Sequence, residues 1–362
     1  MTVLLSLLFA CSDPAPPAAP DPAPVAEPAK AKGKNKGKKA KAAKAEVKHA
    51  ALFGVLPDHM HEGEPPAEAL VDLGRMLYYE HRISKNHDLS CNSCHMLDKY
   101  GVDGEPTSPG HKGARGDRNS PTSYLAAMHQ TQFWDGREPD VEAQAKGPVL
   151  NPVEMAMASP EAVEQVLRSM PGYKKAFKAA FPGEEKAITY DNFAKAVGAF
   201  ERGLITKDSP FDKYLGGDAS ALTPAQQEGL DLFVSTGCTT CHSGPAMGGQ
   251  MFQKLGLVHP YETEDEGRKK VTNKDADAFF FKVPSLRNVA KTGPYFHDGK
   301  VATLDEAVKL MAHHQLGKEL KPGEVKKIVA FLESTTGELP TEYIAKPELP
   351  ESGPKTPKPD PS

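Results

Sequence analysis

The chain has 362 residues, of which 39% are hydrophobic and 25% charged, and it contains five cysteines, too few for a disulfide-stapled scaffold. No apolar run approaches the roughly 18 residues that a membrane-spanning helix needs. Residues 1–48 hold nine Lys and four acidic residues, so residues 49–362 carry a net charge of −9, and an acidic body argues against nucleic-acid binding.

The chain begins with a short apolar segment, residues 1–11, that ends in Leu8-Phe9-Ala10-Cys11. This segment resembles a bacterial export signal with a lipobox-like end, in which Cys11 would be lipidated. It predicts a periplasmic protein whose only membrane contact is a lipid anchor, and Ser12 favours the outer membrane. No Lys or Arg precedes the apolar core, unlike most export signals. The alternatives are a start further upstream or an ordinary buried apolar stretch.

Two segments are predicted to be disordered. Residues 12–48 are rich in Pro, Ala and Lys, and residues 341–362 are rich in Pro, Lys and Glu. Neither has enough apolar surface to form a core, so the first is interpreted as a tether and the second as a tail.

The segment between them has helical periodicity. Ser159-Pro160, Thr223-Pro224 and Thr303-Leu304 are typical helix starts, and Pro171-Gly172 is a typical stop. Alternating strand patterns are scarce, and the predicted helices are separated by long loops rich in Gly and Pro. The fold class is therefore mostly α with long loops.

The two halves of this body repeat the same order of motifs. The first half has CNSCH at 91–95, RNSP at 118–121 and FWDGR at 133–137; the second has CTTCH at 238–242, PSLRN at 284–288 and YFHDGK at 295–300. An internal duplication is the simplest explanation. It predicts an N-terminal domain over residues 49–206 and a C-terminal domain over residues 207–340.

The two CxxCH motifs carry the strongest chemical signal. Two cysteines three positions apart can form thioethers to one haem, and the following His is placed to ligate its iron. These residues are Cys91, Cys94 and His95, and Cys238, Cys241 and His242. A zinc site would leave the His of each motif unused, and a thioredoxin-like pair needs a βαβ context that is missing here. The motifs predict two covalently bound haem c groups, and the fifth cysteine is assigned to the lipid.

Several further motifs resemble those of the bacterial di-haem cytochrome c peroxidase family, over nearly all of residues 50–340. They include GHK, RNSPT, FWDGR and NPVEMAM in the first half, and SPFDKYL, VPSLRN, TGPYFHDG and MAHHQLG in the second. The resemblance implies two cytochrome c-like domains, with a peroxidatic haem in the first and an electron-transfer haem in the second.

The resemblance also implies the sixth ligand of each iron. For the first haem this is His111, in a Gly-flanked loop with little packing, from which the ligand could detach. Alone, His111 would indicate only an exposed loop histidine. For the second haem the ligand is Met311, fourteen residues after His297. Met311 could otherwise be core filler, and His313 and His314 could compete with it.

The remaining site residues also follow from the resemblance. Glu154 matches the catalytic glutamate, Gln144 its glutamine partner, and Trp134 an aromatic bridge between the haems, although a buried Trp is more often structural. Asn119, with the backbone carbonyls of Thr292 and Pro294, matches a calcium site between the domains. Oxygen ligands of this kind suit a hard cation.

The function implied is reduction of hydrogen peroxide to water. A small soluble cytochrome c or cupredoxin would deliver electrons to the C-terminal haem, from which they pass to the N-terminal haem. Members of the family are commonly homodimers. Two alternatives stay open: a di-haem electron carrier without peroxidase activity, and a related di-haem oxidase that acts on a partner protein. Met311 argues against the oxidase, which has Tyr at that position.

Overall fold

A computed structural model describes residues 47–362, and residues 1–46, which hold the predicted export signal and most of the predicted tether, lie outside it. The described part is mostly helical, which confirms the predicted fold class. None of its helices is long and apolar enough to cross a membrane. The α-helices, in chain order, are α1 Glu68–Tyr78, α2 Cys91–Cys94, α3 Val141–Leu150, α4 Pro160–Ser169, α5 Pro171–Ala180, α6 Tyr190–Glu201, α7 Pro210–Leu215, α8 Pro224–Thr236, α9 Lys269–Thr272, α10 Leu304–Leu316 and α11 Pro322–Glu333.

The first half is organised around the packing of α1 against α6. Gly74 of α1 lies so close to α6 that a Cβ at this position would come within 1.9 Å of the Ala196 carbonyl oxygen. The fully buried Leu73, Leu77 and Phe200 belong to the core cluster around this crossing. A glycine is required here because the two backbones approach closely.

The second half contains the same kind of crossing, between α8 and α11. A Cβ on Gly229 would come within 1.9 Å of the Lys327 carbonyl oxygen. Leu230, Phe233 and Phe331 form the core beside it. The two halves thus share a helix pair as well as their motifs, although their origin by internal duplication, like the domain boundaries, stays a prediction.

The predicted helix starts are found where their capping residues lie. The side chain of Ser159 accepts a hydrogen bond from Ala162 N at the start of α4, and that of Thr223 accepts one from Gln226 N at the start of α8. Thr303 caps α10 in the same way. Pro171-Gly172 both ends α4 and begins α5, because Pro suits the first position of a helix.

The loops between the helices carry a small antiparallel sheet. It consists of β1 Phe252–Lys254 and β2 Phe280–Lys282, with Gln253 paired to Phe281. This sheet lies in the second half, and its strand β2 donates a hydrogen bond from Lys282 N to Trp134 O of the first half at 2.8 Å. The sheet therefore helps to join the halves.

Residues 341–362, predicted to be a disordered tail, pack against the first half. Ile344 is buried in the core of that half, and Tyr343 stacks on Phe200 with 5.1 Å between ring centroids. The Tyr343 hydroxyl also donates to Phe200 O at 2.6 Å, and Arg82 donates to Pro350 O at 2.7 Å. The composition is misleading because two apolar side chains and backbone carbonyls, not a core within the segment, hold the tail in place.

Candidate functional site

The first CxxCH motif forms a single helical turn. Helix α2 begins at Cys91 and ends at Cys94, and neither thiol is in a disulfide. Burial raises the pKa of Cys91 to about 12 and that of Cys94 to about 11, so both thiols are protonated at neutral pH. The His95 ring donates from Nδ1 to the Pro121 carbonyl at 2.9 Å, which leaves Nε2 as the free ligand atom.

The second motif repeats this arrangement. Helix α8 ends at Thr236, and the next residue, Gly237, turns the chain into the cysteine segment with a φ of 104°. The His242 ring donates from Nδ1 to the Met247 carbonyl at 3.2 Å. Burial lowers the pKa of His242 to about 4, which keeps the ring neutral, as a metal ligand must be.

His111 and Glu154 lie together although 43 positions separate them in the sequence. The backbone N of His111 donates to the Glu154 carbonyl at 2.7 Å. Gly110 makes this approach possible, because a Cβ there would come within 1.9 Å of the Val153 carbonyl oxygen. The His111 side chain is buried and its Nδ1 has no hydrogen-bond partner among the described residues. The loop is thus more firmly packed at Gly110 than the sequence predicted.

The carboxylate of Glu154 is partly buried. Its Oε1 accepts a hydrogen bond from Asn151 Nδ2 at 2.8 Å. Burial raises the pKa of Glu154 above its ordinary value, although the bond from Asn151 opposes the shift. A carboxyl group with a raised pKa is better matched to proton transfer near neutral pH. Gln144 lies on α3, and within residues 47–362 no hydrogen bond joins its side chain to Glu154.

Met311 lines a cavity in the second half, together with Cys238, Cys241 and His242. The competing histidines point elsewhere. His313 Nδ1 lies 2.5 Å from Glu319 Oε1, and His314 Nδ1 lies 2.9 Å from the His259 carbonyl oxygen. Neither of them lines the cavity. Of these three residues, Met311 is the one that shares the cavity with His242.

Trp134 connects the two halves. Its Nε1 donates to the Asn119 carbonyl at 2.9 Å, and its own carbonyl accepts from Lys282 N in β2. The indole also lines the cavity that contains His242. This location fits a bridging residue.

The three residues predicted to bind calcium lie at the seam, which is the boundary between the two halves that contains Trp134 and Lys282. Asn119, Thr292 and Pro294 all line the cavity beside Trp134. The Asn119 Nδ2 donates to the Glu105 carbonyl at 3.0 Å, which leaves its Oδ1 available to a cation. Among residues 47–362 no group of three or more His, Cys, Asp or Glu side chains could hold a metal ion.

The chain is similar to a family model and to several known proteins. The family model described as di-haem cytochrome c peroxidase matches residues 68–220. The chain is 45% identical to a cytochrome c551 peroxidase of Pseudomonas aeruginosa, over 88% of this chain and 94% of that protein. It is 46% identical to a cytochrome c551 peroxidase of Nitrosomonas europaea, over 82% of this chain and 88% of the relative.

A solved MauG-like protein associated with microbial copper homeostasis has the same fold. The TM-score is 0.72 at 28% identity, with 84% of this chain and 99% of that one covered. The chain belongs to the di-haem cytochrome c peroxidase family. It is accordingly an enzyme of the cytochrome-c peroxidase class with two haem c groups.

The residues of this family member fit the haem groups. Each CxxCH segment offers two thiols outside any disulfide and a neutral imidazole whose Nδ1 is already hydrogen-bonded. The carbonyls that orient these rings come from Pro121 and Met247. When bound, the haems supply the one-electron redox chemistry, while the chain supplies axial ligands, orientation and proton transfer.

A charged cluster at the seam was not predicted from the sequence. Arg118 contacts Asp135 Oδ2 at 2.6 Å and Asp265 Oδ2 at 2.6 Å. Burial favours neutral Asp265, but hydrogen bonds from Arg118 and Gly267 hold its pKa well below the ordinary value. Arg118 and Asp135 belong to the repeated motifs, which could have singled them out. Asp265 lies 147 positions from Arg118, so no local pattern indicates it.

Proposed function

We propose that the protein reduces hydrogen peroxide to water with electrons from a small c-type cytochrome or cupredoxin. The electrons would enter at the C-terminal haem of His242 and pass to the N-terminal haem of His95. Two electrons and two protons convert one peroxide to two waters. The named activity of the two cytochrome c551 peroxidases supports this proposal.

The pairing of His111 with Glu154 is the observation that carries the proposal. A hydrogen bond of 2.7 Å holds the backbone of a candidate distal ligand against that of a candidate proton acceptor. A simple electron carrier needs neither a releasable distal ligand nor a carboxylate beside the haem. In a peroxidase, Glu154 would take a proton from peroxide and return it to the departing oxygen, and Asn151 would hold the carboxylate in position.

The two halves would have different tasks because their second axial residues differ. A thioether such as that of Met311 raises the potential of a haem, whereas two imidazoles give a lower potential. The haem of His242 would then accept and hold an electron. Trp134, hydrogen-bonded to both halves, would lie on the route to the other haem.

The calcium ion, the homodimer and the cellular location belong to the proposal as well. Calcium would be held by Asn119 and by the carbonyls of Thr292 and Pro294, which line the seam. Periplasmic location and a lipid anchor at Cys11 rest on the sequence alone, since residues 1–46 lie outside the described part of the chain.

The test is peroxide-dependent oxidation of a reduced c-type cytochrome, with Glu154→Gln compared to the wild type. Loss of the proton acceptor should lower turnover by about 10²- to 10⁴-fold. The haem content and both reduction potentials should stay the same. Glu185→Gln, at an exposed position, is the matched control and should keep full activity. A wild-type protein with two haems that oxidises no donor, or a fully active Glu154→Gln variant, would contradict the proposal.

A further inference from the structure

Lys282 is a buried lysine, and no carboxylate within residues 47–362 forms an ion pair with it. Its side chain, at the end of β2, is only 6% exposed. The acidic residue that influences it is Asp135, which is already paired with Arg118 and Arg137. Burial lowers the pKa of Lys282 to about 7, as expected for an amine without a counter-ion. A buried amine of this kind is costly unless an anion joins it.

His129 completes a pair with Lys282. Lys282 Nζ lies 2.8 Å from His129 Nδ1 and can donate to it. When Nδ1 accepts a hydrogen bond, the ring proton lies on Nε2, which then becomes a donor. That Nε2 is buried and has no partner among the described residues. The pair therefore presents N–H donors from both side chains and lacks an acceptor.

The fold holds His129 closely at this position. Its ring lies over Gly249, where a Cβ would come within 2.1 Å of the ring carbon Cδ2. The adjoining backbone is tied to the same glycine, because Gln130 N donates to Gly249 O at 2.9 Å. The packing of the two halves therefore fixes the orientation of the His129 ring.

The pair lines the cavity of the second CxxCH motif. Lys282 and His129 line the same cavity as Trp134, and His242 and Met311 line it too. No Asp or Glu of the described chain lines this cavity. A haem brings two carboxylates of its own into such a site. Its carboxylates are therefore the anions available to satisfy the unpaired donors.

We propose that Lys282 and His129 bind a carboxylate of the C-terminal haem, and that Lys282 thereby raises the reduction potential of that haem. The inference rests on the haem assignment within the proposed function, but not on peroxide reduction. A fixed positive charge beside the haem disfavours the ferric iron, which carries the greater positive charge. Because Lys282 also donates its backbone N–H to Trp134, the carboxylate subsite adjoins the connection between the halves.

The test compares Lys282→Met, Lys282→Arg and Lys274→Met by spectroelectrochemical titration without peroxide. Lys274 is an exposed lysine of the same half and serves as the charge-matched control. Lys282→Met should shift the reduction equilibrium of the C-terminal haem about tenfold toward the ferric form, which is about 59 mV for one electron. Lys282→Arg should keep most of the wild-type potential, and Lys274→Met all of it.

Haem content, measured alongside, separates this inference from the haem assignment on which it rests. A Lys282→Met protein with both haems and the wild-type potential would overturn the inference. If Lys282→Met fails to mature, the redox difference infrared spectrum of Lys282→Arg gives a second test. Carboxylate bands that move in Lys282→Arg but not in Lys274→Met would support the contact. Identical carboxylate bands in the wild type and Lys282→Arg would overturn it.

Discussion

The histidine of each CxxCH motif is oriented by a backbone carbonyl in the loop that follows it. His95 donates to Pro121 O and His242 donates to Met247 O, and both bonds use Nδ1. Pro121 belongs to the Asn-Ser-Pro segment that is repeated between the halves. Met247 lies outside the repeated motifs, five residues after His242, so in each half a backbone carbonyl further along the chain fixes the tautomer and the direction of the iron ligand.

At the residue scale, the buried carboxyl of Glu201 should make the stability of the fold depend on pH. This residue of α6 is 7% exposed, and burial raises its pKa to about 8. Because the folded-state pKa lies above the unfolded one, stability should fall as pH rises from about 4.5 to 8. The wild type should lose on the order of 2–4 kcal/mol of unfolding free energy over that range, and Glu201→Gln should remove this loss. Urea unfolding at pH 5 and pH 8 measures it, with Glu185→Gln as control. Equal pH dependence in all three proteins would contradict the prediction.

Some site residues are predictable from the sequence and others are not. Cys91, Cys94 and His95 follow from one short motif, since the chemistry of haem attachment requires that spacing. The pairing of Lys282 with His129 has no such signal. It joins a strand to a loop 153 positions earlier, and only the packing of the two halves brings the side chains together.

At the element scale, each half depends on one close helix crossing. In both crossings a glycine, Gly74 or Gly229, allows a carbonyl of the facing helix to approach to the position that a Cβ would occupy. The helix starts were predictable because the caps are local. The crossings were not, because a glycine within a helix has several possible causes.

Alanine at these glycines should therefore be strongly destabilising. Gly74→Ala and Gly229→Ala each place a Cβ 1.9 Å from a backbone oxygen, which cannot move without shifting a helix. We expect a loss of at least about 2 kcal/mol for each variant in urea unfolding. Gly323→Ala in α11 meets no atom within 4 Å and should be neutral or stabilising by up to about 1 kcal/mol. Three equal effects would show that the crossings are not the cause.

The C-terminal tail is packed against the first half although its composition predicts disorder. Residues 341–362 are polar and rich in Pro, yet Ile344 is buried in the core of the first half and Tyr343 packs against that core. A disorder prediction weighs average composition, whereas two well-placed apolar side chains are enough to anchor a segment to an existing core.

At the scale of the whole molecule, the seam contains the residues that join the two halves. Asn119, Trp134 and Lys282 are joined there by hydrogen bonds, and Asn119 N also donates to His297 O at 2.8 Å. The order of motifs along the chain predicted two similar halves. How the two halves pack together depends on contacts between residues that are distant in the sequence, and the order of the motifs does not indicate those contacts.

Removal of calcium should loosen this seam. At a calcium concentration of 100 Kd, a bound ion stabilises the folded state by about 2.7 kcal/mol. Chelation should then lower the melting temperature by about 3–6 °C. Calorimetry with calcium, with magnesium and with a chelator measures the effect. Asn119→Ala should melt at one and the same temperature under all three conditions. A wild-type melting temperature that is indifferent to chelation would contradict the calcium proposal.

Peroxide reduction at the N-terminal haem is tested most directly with the half-reduced protein. One electron is placed on the C-terminal haem, peroxide and reduced donor are added, and the haem spectrum and donor oxidation are followed together. We predict an open, five-coordinate N-terminal haem and the oxidation of two donor molecules per peroxide. His111→Gly should show the open haem before any reduction. Two six-coordinate haems and no donor consumed would contradict the account.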